Sequence, residues 1–145
     1  MRTKALLIGI LLLGTLGLSS CNKTEGCSDP MAINHNPNAE KANDNLCRYT
    51  TATFYASSST FTGAEVSEIV LTLGQSGDTI GVINTFNLDY PVDCNTTGTV
   101  QYEFKTAKSE VWFAQYRLAT GGVVTAQGDF EASSTVECLR IDVLP

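Results

Sequence analysis

Alternation of apolar and polar residues predicts short β-strands along the chain after position 50. Residues 100–105 alternate cleanly, which is the pattern of a strand with one buried face. Between residues 112 and 118 every second side chain is apolar, and the same reasoning predicts strands at residues 51–56, 69–73, 79–83, 123–124 and 137–144. This part of the chain has no apolar stripe of any length at the 3.6-residue spacing of a helix.

Glycine-rich turns separate several of these strands. Residues 74–78 and the pair Gly121-Gly122 are predicted to close hairpins. Because short, regularly spaced strands must each bury one face, the pattern predicts an all-β fold over residues 50–145. We expect a small antiparallel β-sandwich of the immunoglobulin-like or prealbumin-like kind.

The first 20 residues have the layout of a secretion signal. Arg2 and Lys4 precede an apolar run over residues 5–17, and positive charges followed by such a run are typical of a signal peptide. The run is shorter than the roughly 20 residues that cross a bilayer. We therefore expect residues 1–20 to be removed on export, and no later segment to span a membrane as a helix.

The segment Leu18-Ser19-Ser20-Cys21 follows the apolar run. It resembles the bacterial lipobox, in which an aliphatic residue and two small residues precede a cysteine. The resemblance implies cleavage before Cys21 and acylation of its thiol and its new amino group. Two or more acyl chains hold a protein firmly on a membrane, whereas one binds marginally. Residues 21–26 would then form a lipidated polar tether; the alternative is a soluble secreted protein cut nearby.

Charge limits the class of partner. Removal of residues 1–20 takes away Arg2 and Lys4 and leaves 7 basic and 15 acidic residues, a formal charge of −8. An acidic chain repels phosphate backbones and anionic lipid head groups. We therefore expect no nucleic-acid partner, and attachment to the membrane through the lipid anchor.

Four cysteines remain beside Cys21, and an even number in an exported chain predicts two disulfides. Three connectivities are possible. We favour Cys27–Cys47 with Cys94–Cys138, because each pair then lies within one segment of the chain. A metal–thiolate site is the alternative, although the chain has no Cys-x-x-Cys pair to favour it.

Residues 27–49 are rich in Asn, Asp and Pro, which favour turns over helix or strand. A segment with so little apolar surface needs a disulfide or a bound ion to fold. The pattern resembles a short repeat found in exported proteins of Bacteroidetes and related marine bacteria, Cys-Thr-Asp-Pro-x-Ala-x-Asn-Tyr-Asn-Pro-x-Ala followed by Asp-Asp-Gly-Ser-Cys. The matching residues are Cys27, Asp29, Pro30, Ala32, Asn34, Asn36, Pro37, Ala39, Asp44 and Cys47.

The resemblance is not complete. His35, Asn45 and Leu46 stand where the repeat has Tyr, Gly and Ser, and one extra residue precedes Cys47. The resemblance implies a Cys27–Cys47 bridge and a surface module, present here in a single copy. We call residues 27–49 the Asn/Pro module.

Residues 50–145 are similar to a β domain, without an assigned activity, that follows this module in Bacteroidetes lipoproteins. The similarity rests on Phe54-Tyr55, on Cys94 ahead of Gly98-Thr-Val, on Trp112 or Tyr116 in a late strand, and on Val136-Glu-Cys138. It implies the Cys94–Cys138 pairing and says nothing about chemistry.

The oxygen-rich side chains of the Asn/Pro module have two interpretations. Calcium takes six to eight oxygen ligands, and Asp29, Asn34, Asn36 and Asp44 are the candidate ligands. The alternative is that these side chains cap turns, since the dense Asp-x-Asp-x-Asp spacing is missing. Apart from calcium, no cofactor is expected.

Residues suited to catalysis are few. His35 is the single histidine, which counts against a Ser-His-Asp or Cys-His enzyme, and we expect it to be structural. Carboxylate pairs can cleave glycosides, but acids in alternating strands mostly face solvent; the candidates are Glu103, Glu110, Asp129 and Glu131. We therefore expect a protein that is not an enzyme.

Phe113 is the candidate for a binding surface. It follows Trp112 directly, and neighbours in a strand point to opposite faces, so one of the two side chains must avoid the core. An exposed Phe113 would mark a surface for protein or glycan, unless the Asn/Pro module covers it. These features together predict an outer-membrane lipoprotein of the cell envelope that acts as a binding or adhesion module. The alternatives are a structural or assembly subunit and, third, a carboxylate-based glycan-active enzyme.

Overall fold

The computed structural model describes residues 23–74, 77–91, 93–105 and 107–144. The predicted signal peptide and the predicted lipidation site, Cys21, lie outside the described residues. Within those residues the strands are β1 Glu25–Gly26, β2 Lys41–Ala42, β3 Thr51–Tyr55, β4 Thr60–Phe61, β5 Ala64–Leu73, β6 Asp78–Ile83, β7 Val100–Glu103, β8 Ser109–Leu118, β9 Val123–Glu131 and β10 Cys138–Asp142, and the 3-10 helix is Asp44–Leu46. The described part of the chain has no helix with the length and hydropathy needed to cross a bilayer.

Two sheets share one core, as the predicted sandwich requires. One has three strands in the order β10-β3-β7, and the other has five, in the order β4-β5-β8-β9 with β6 also paired to β5. The buried cluster takes Phe54 from the smaller sheet and Ile69 and Tyr116 from the larger one. The prediction of an all-β, sandwich-like fold is confirmed.

One strand pairing differs from the antiparallel arrangement that the sequence predicts. β10 runs parallel to β3, with Cys138 beside Thr51 and Asp142 beside Tyr55. Parallel neighbours need a long connection, and here the intervening strands of both sheets supply it. The chain returns to β3 by crossing from β9 in the larger sheet to β10 in the smaller one.

A bulge in β5 decides which of its side chains reach the core. The pairing with β8 passes from Val66 to Glu68 while β8 advances by one residue, so Ser67 is extra. An extra residue reverses the phase of alternation. Val66 and Ile69, which an unbroken strand would place on opposite faces, are therefore both buried.

Aromatic rings from both sheets meet edge to face in the core. Phe54 of β3 lies 5.3 Å from Phe130 of β9 and 6.3 Å from Trp112 of β8, measured between ring centroids. Phe104, which follows β7, lies 5.0 Å from Phe130. Such contacts contribute beyond the burial of apolar area, and they join the two sheets.

Gly128 of β9 lies opposite Trp112 of β8. A Cβ at Gly128 would come within 2.8 Å of the indole ring, so the missing side chain leaves the space in which the ring packs. The packing of the Trp112 ring in the core therefore requires a residue without a side chain at position 128 of the neighbouring strand.

Both predicted hairpins are present. β5 and β6 pair antiparallel on either side of residues 74–77. β8 turns into β9 through Gly121, which has a φ of 92° and donates its amide to the Leu118 carbonyl at 2.8 Å. β9 is longer than the predicted strand at residues 123–124, and the two-residue β4 is missed by the sequence pattern.

The Asn/Pro module folds as turns around a two-stranded pair. β1 and β2 are parallel neighbours, and Lys41 forms an ion pair with Glu25 at 2.5 Å. The polar tether predicted at residues 21–26 is therefore too long, because Glu25 and Gly26 already belong to the folded module. A two-residue strand is too short for its sequence to show a pattern.

Both predicted disulfides are present, Cys27–Cys47 and Cys94–Cys138. The first closes the module and the second ties the segment between β6 and β7 to β10. In a chain-entropy model, loops of 20 and 44 residues correspond to about 3 and about 4 kcal/mol.

The module is held against the sandwich by polar and ring contacts. Arg48 forms an ion pair with Glu137, and the Lys105 ammonium lies 5.6 Å from the centroid of the Tyr49 ring. At the junction, the buried Thr50 hydroxyl donates to the Ser133 carbonyl at 2.8 Å.

Candidate binding face of the five-stranded sheet

The candidate calcium ligands hydrogen-bond within the chain. Asp29 accepts the Met31 amide through Oδ1 at 2.8 Å and the Tyr49 hydroxyl through Oδ2 at 2.6 Å. Asn36 Oδ1 accepts the amide of Asn38 at 3.0 Å. These are turn contacts of the kind that Asn and Asp side chains commonly make.

Asn34 is a bridge within the module. Its Nδ2 donates to the Leu46 carbonyl at 2.6 Å, and its Oδ1 accepts the Arg48 amide at 2.8 Å. Asp44 begins the 3-10 helix, where its carbonyl accepts the amide of Cys47. The four candidate ligands are thus distributed among separate turns.

Calcium stays a prediction. In the described residues, no three His, Cys, Asp or Glu side chains are grouped so that they could hold a metal ion. The hydrogen bonds favour turn capping. The test is a melting curve with and without a calcium chelator: a lower midpoint with chelator would support the ion, and an unchanged midpoint would exclude it.

The hydrogen bond between Tyr49 and Asp29 shifts the pKa of both side chains. The hydrogen bond from Tyr49, followed by that from the Met31 amide, lowers the pKa of Asp29 below its ordinary value. The same bond raises the pKa of Tyr49 to about 12, because the phenol is a donor only while it keeps its proton. The pair joins the first turn of the module to its last residue.

Of the remaining catalytic candidates, His35 lies in the module and Glu103 in the three-stranded sheet. Glu110, Asp129 and Glu131 line one depression of about 320 Å³ on the five-stranded sheet. His35 is exposed and forms an isolated backbone bridge with Cys27. Glu103 pairs with Lys105 at 2.6 Å. Glu110 accepts the Tyr102 hydroxyl at 3.4 Å, and Asp129 is exposed on the outer face of β9. Glu131 is exposed at the end of the same strand.

Most aromatic side chains serve the core. Phe54, Phe104 and Tyr116 are fully buried. Tyr90 is 65 % exposed, but Arg140 lies over its ring at 5.1 Å. Phe113 is the one that lies half-buried on the outer face of the larger sheet.

Alternation in β8 places Phe113 outside. Trp112 and Ala114 face the core, so the side chain of Phe113 points away from it. Of the two neighbours Trp112 and Phe113, it is therefore Phe113 that avoids the core. Gln127 of β9 pairs with Phe113 on one side and Thr72 of β5 pairs with it on the other. The ring is therefore flanked by polar side chains from both neighbouring strands.

A concavity of about 640 Å³ surrounds this ring. Its lining residues are Thr72, Gly74, Gly77, Val111, Phe113, Ala114, Gln115, Thr125, Gln127 and Asp129. We call this the Phe113 concavity. Asp129 is the charged residue among the described lining residues, and none of them carries a positive charge.

The polar side chains of the Phe113 concavity differ from those of the module. Within the described part of the chain, no side-chain hydrogen bond engages Gln115, Gln127 or Thr125, whereas Asp29 and Asn34 each make two. Donors and acceptors on the sheet are thus available to a ligand. The side chains of Asp29 and Asn34 in the module already stabilise the fold.

Sequence reasoning finds Phe113 and misses its partners. Gln115 follows from the same alternation in β8, but Gln127 and Asp129 require β9 to be recognised as far as Glu131. The signal is there in part, since Thr125, Gln127 and Asp129 alternate with apolar or small residues.

Comparison with known proteins identifies no relative of this chain. No family model, no curated protein and no solved structure matches this chain. The resemblance to the Bacteroidetes module and its β domain stays a prediction.

Proposed function

We propose that this protein is an outer-membrane lipoprotein of the cell envelope, anchored through Cys21, that acts as a non-catalytic binding or adhesion module. Its partner, a protein or a glycan, is engaged through the Phe113 concavity. The observation that carries the proposal is an outward aromatic ring in a concave sheet face, with uncommitted polar side chains beside it.

The location part of the proposal has separate support. The signal and lipobox pattern favours export, and two disulfides suit an oxidising compartment. The described fold begins by Glu25, only a few residues after Cys21. A lipid at that position would hold the sandwich close to the bilayer.

Site-specific photo-cross-linking tests the binding face. A benzophenone amino acid replaces Phe113 in the full chain, expressed in an exporting cell, and a second version carries it at Gln101. Gln101 is exposed on β7, in the other sheet, and serves as the matched control. Benzophenone inserts into C–H bonds of proteins and glycans alike.

We expect a discrete adduct at position 113 and none at position 101, because only the first position lies in the concavity. Equal adduct formation at both positions, or none at position 113, would refute the proposed face.

An assembly subunit is the second candidate, and β9 favours it. This nine-residue strand pairs with β8 along one edge, and its other edge has no strand partner among the described residues. An uncovered edge is a template for a further strand, and β9 contains no Pro or Lys to block one.

Proline substitution at the uncovered edge separates the two functions. Pro in place of a β9 residue whose amide points outward would remove a donor needed for strand addition. Loss of a higher-order species on native gels, with cross-linking at position 113 unchanged, would favour assembly over ligand binding.

A further inference from the structure

We infer that the Phe113 concavity binds a short segment of an uncharged polysaccharide. This inference rests on the proposed binding function and names the class of ligand. It draws on the size of the concavity, on the chemistry of its walls and on its charge.

Size favours a small ligand over a protein surface. The concavity of about 640 Å³ falls within the roughly 300–1,000 Å³ typical of small-molecule sites. A standard protein interface instead covers about 800 Å² on each partner, and it usually centres on several aromatic or Arg anchors. Among the described lining residues of this face, Phe113 is the single aromatic ring.

The walls combine the two chemistries that a sugar ring presents. The C–H faces of a pyranose are apolar and suit the ring of Phe113 and the side chain of Val111. Its hydroxyls both donate and accept hydrogen bonds, as do the amides of Gln115 and Gln127 and the hydroxyl of Thr125. A purely apolar ligand would leave those amides unpaired on binding, at a cost in affinity.

Charge excludes acidic polymers. Asp129 is the charged group among the described lining residues, and a carboxylate accepts hydrogen bonds from hydroxyl groups but repels uronates and sulfates. The acidic balance of the whole chain acts in the same direction. An uncharged sugar segment is repelled neither by Asp129 nor by the net negative charge of the chain.

The sheet also fixes the backbone positions that carry the polar groups. Gln115 and Thr125 are paired neighbours in the β8–β9 ladder, and Phe113 and Gln127 are the next such pair on that face. Paired residues on adjacent strands keep their backbone spacing when no ligand is bound, so binding orders the side chains alone and not the backbone.

Glycan-array binding of the full chain, purified in mild detergent from an exporting host, tests the inference. The array carries uncharged hexose and N-acetylhexosamine oligosaccharides beside uronate-containing and sulfated ones. We expect the chain to bind at least one uncharged series, and we expect Phe113→Ala and Gln127→Ala each to weaken that binding about tenfold or more, which corresponds to about 1.4 kcal/mol.

Val123→Ala is the matched control. Val123 is 63 % exposed on β9, faces the same side as Gln127 and does not line the concavity. We expect its affinity to stay within about twofold of wild type, with unchanged melting midpoints for all three variants. Should Phe113→Ala lower the midpoint, the Gln127→Ala variant decides the outcome.

Absence of binding to every uncharged series, binding of acidic series with equal strength, or binding that neither substitution weakens would overturn the inference. A cross-link at position 113 to an identified protein, with an empty array, would overturn it while the binding-module proposal stood. An empty array together with no adduct at position 113 would refute both.

Discussion

The hydroxyl of Tyr116 shows how one buried polar group can be tested by pH. It donates to the Val143 carbonyl at 2.7 Å, and burial, followed by the charge of Asp142, raises its pKa from 10.0 to about 12. The folded state therefore favours the protonated phenol. Its contribution is complete below pH 10.0 and is lost as the pH rises through about 12.

We expect Tyr116→Phe to lower the free energy of unfolding by about 1–3 kcal/mol at neutral pH, because the Val143 carbonyl loses its donor in the core. The difference between the two proteins should shrink as the pH approaches about 12. Denaturant unfolding across this range measures it. A difference that does not change with pH would contradict the assigned donor.

The close packing of Gly128 against Trp112 predicts that a larger residue at position 128 overpacks the core. A Cβ at Gly128 would lie 2.8 Å from the indole, so Gly128→Ala should destabilise the fold by about 1–3 kcal/mol. Combined with Trp112→Ala, the same substitution should cost almost nothing further. Additive effects in this double-mutant cycle would show that the two residues do not interact.

At the scale of elements, single side chains bridge distant parts of the Asn/Pro module. Asn34 bridges the Leu46 carbonyl and the Arg48 amide. We expect Asn34→Ala to speed hydrogen exchange at the Arg48 amide by about tenfold, since a lost hydrogen bond of about 1–1.5 kcal/mol corresponds to roughly that factor. The melting midpoint of the sandwich should change little.

Asn38→Ala is the control for this experiment. Asn38 belongs to the same module, and its backbone amide, which the substitution keeps, makes the contact to Asn36. Exchange at Arg48 should then match wild type. Equal acceleration in both variants would indicate general loosening of the module.

The strands show which part of the fold could be predicted. Alternation identifies β7, because Val100 and Tyr102 stand between polar residues. In β8 apolar residues recur at every second position from Trp112 to Leu118, although the intervening Phe113 is also apolar. β9 shows the limit: its inward positions include Ala126 and Gly128, whose small side chains give little apolar signal. In β5 the two-residue alternation is interrupted because Ser67 is an extra residue in the pairing with β8.

The Phe113 concavity, too, could be predicted only in part from the sequence. Two-residue alternation requires that either Trp112 or Phe113 faces outward, and the packing of Trp112 against the core assigns that place to Phe113. The concavity around it also depends on the register of β8 with β9 and β5, which the pairing of distant segments determines. No local pattern contains that register.

At the scale of the whole molecule, the two disulfides should stabilise different parts. Replacing Cys94 and Cys138 together with Ser removes a tie across 44 residues and should lower the free energy of unfolding of the sandwich by about 4 kcal/mol. Replacing Cys27 and Cys47 should instead unfold the module locally. Circular dichroism and hydrogen exchange distinguish these outcomes.

The opposite result, unfolding of the whole chain on loss of the module's disulfide, would show that the module and the sandwich are coupled. If loss of the Cys27–Cys47 bridge unfolded the entire chain in one step, the module would be part of a single cooperative unit with the sandwich. The contacts of Arg48 with Glu137 and of Tyr49 with Lys105 would then be stronger than exposed ion pairs and ring contacts usually are.

The account as a whole depends on an exported chain that carries lipid at Cys21 and two disulfides. Intact-mass spectrometry of the protein from native membranes, with and without reduction, tests this directly. We predict a chain that begins at Cys21, carries the mass of its acyl groups and gains four hydrogens on reduction. A chain that retains residues 1–20, an unmodified Cys21, or free thiols at the other four cysteines before reduction would contradict this prediction.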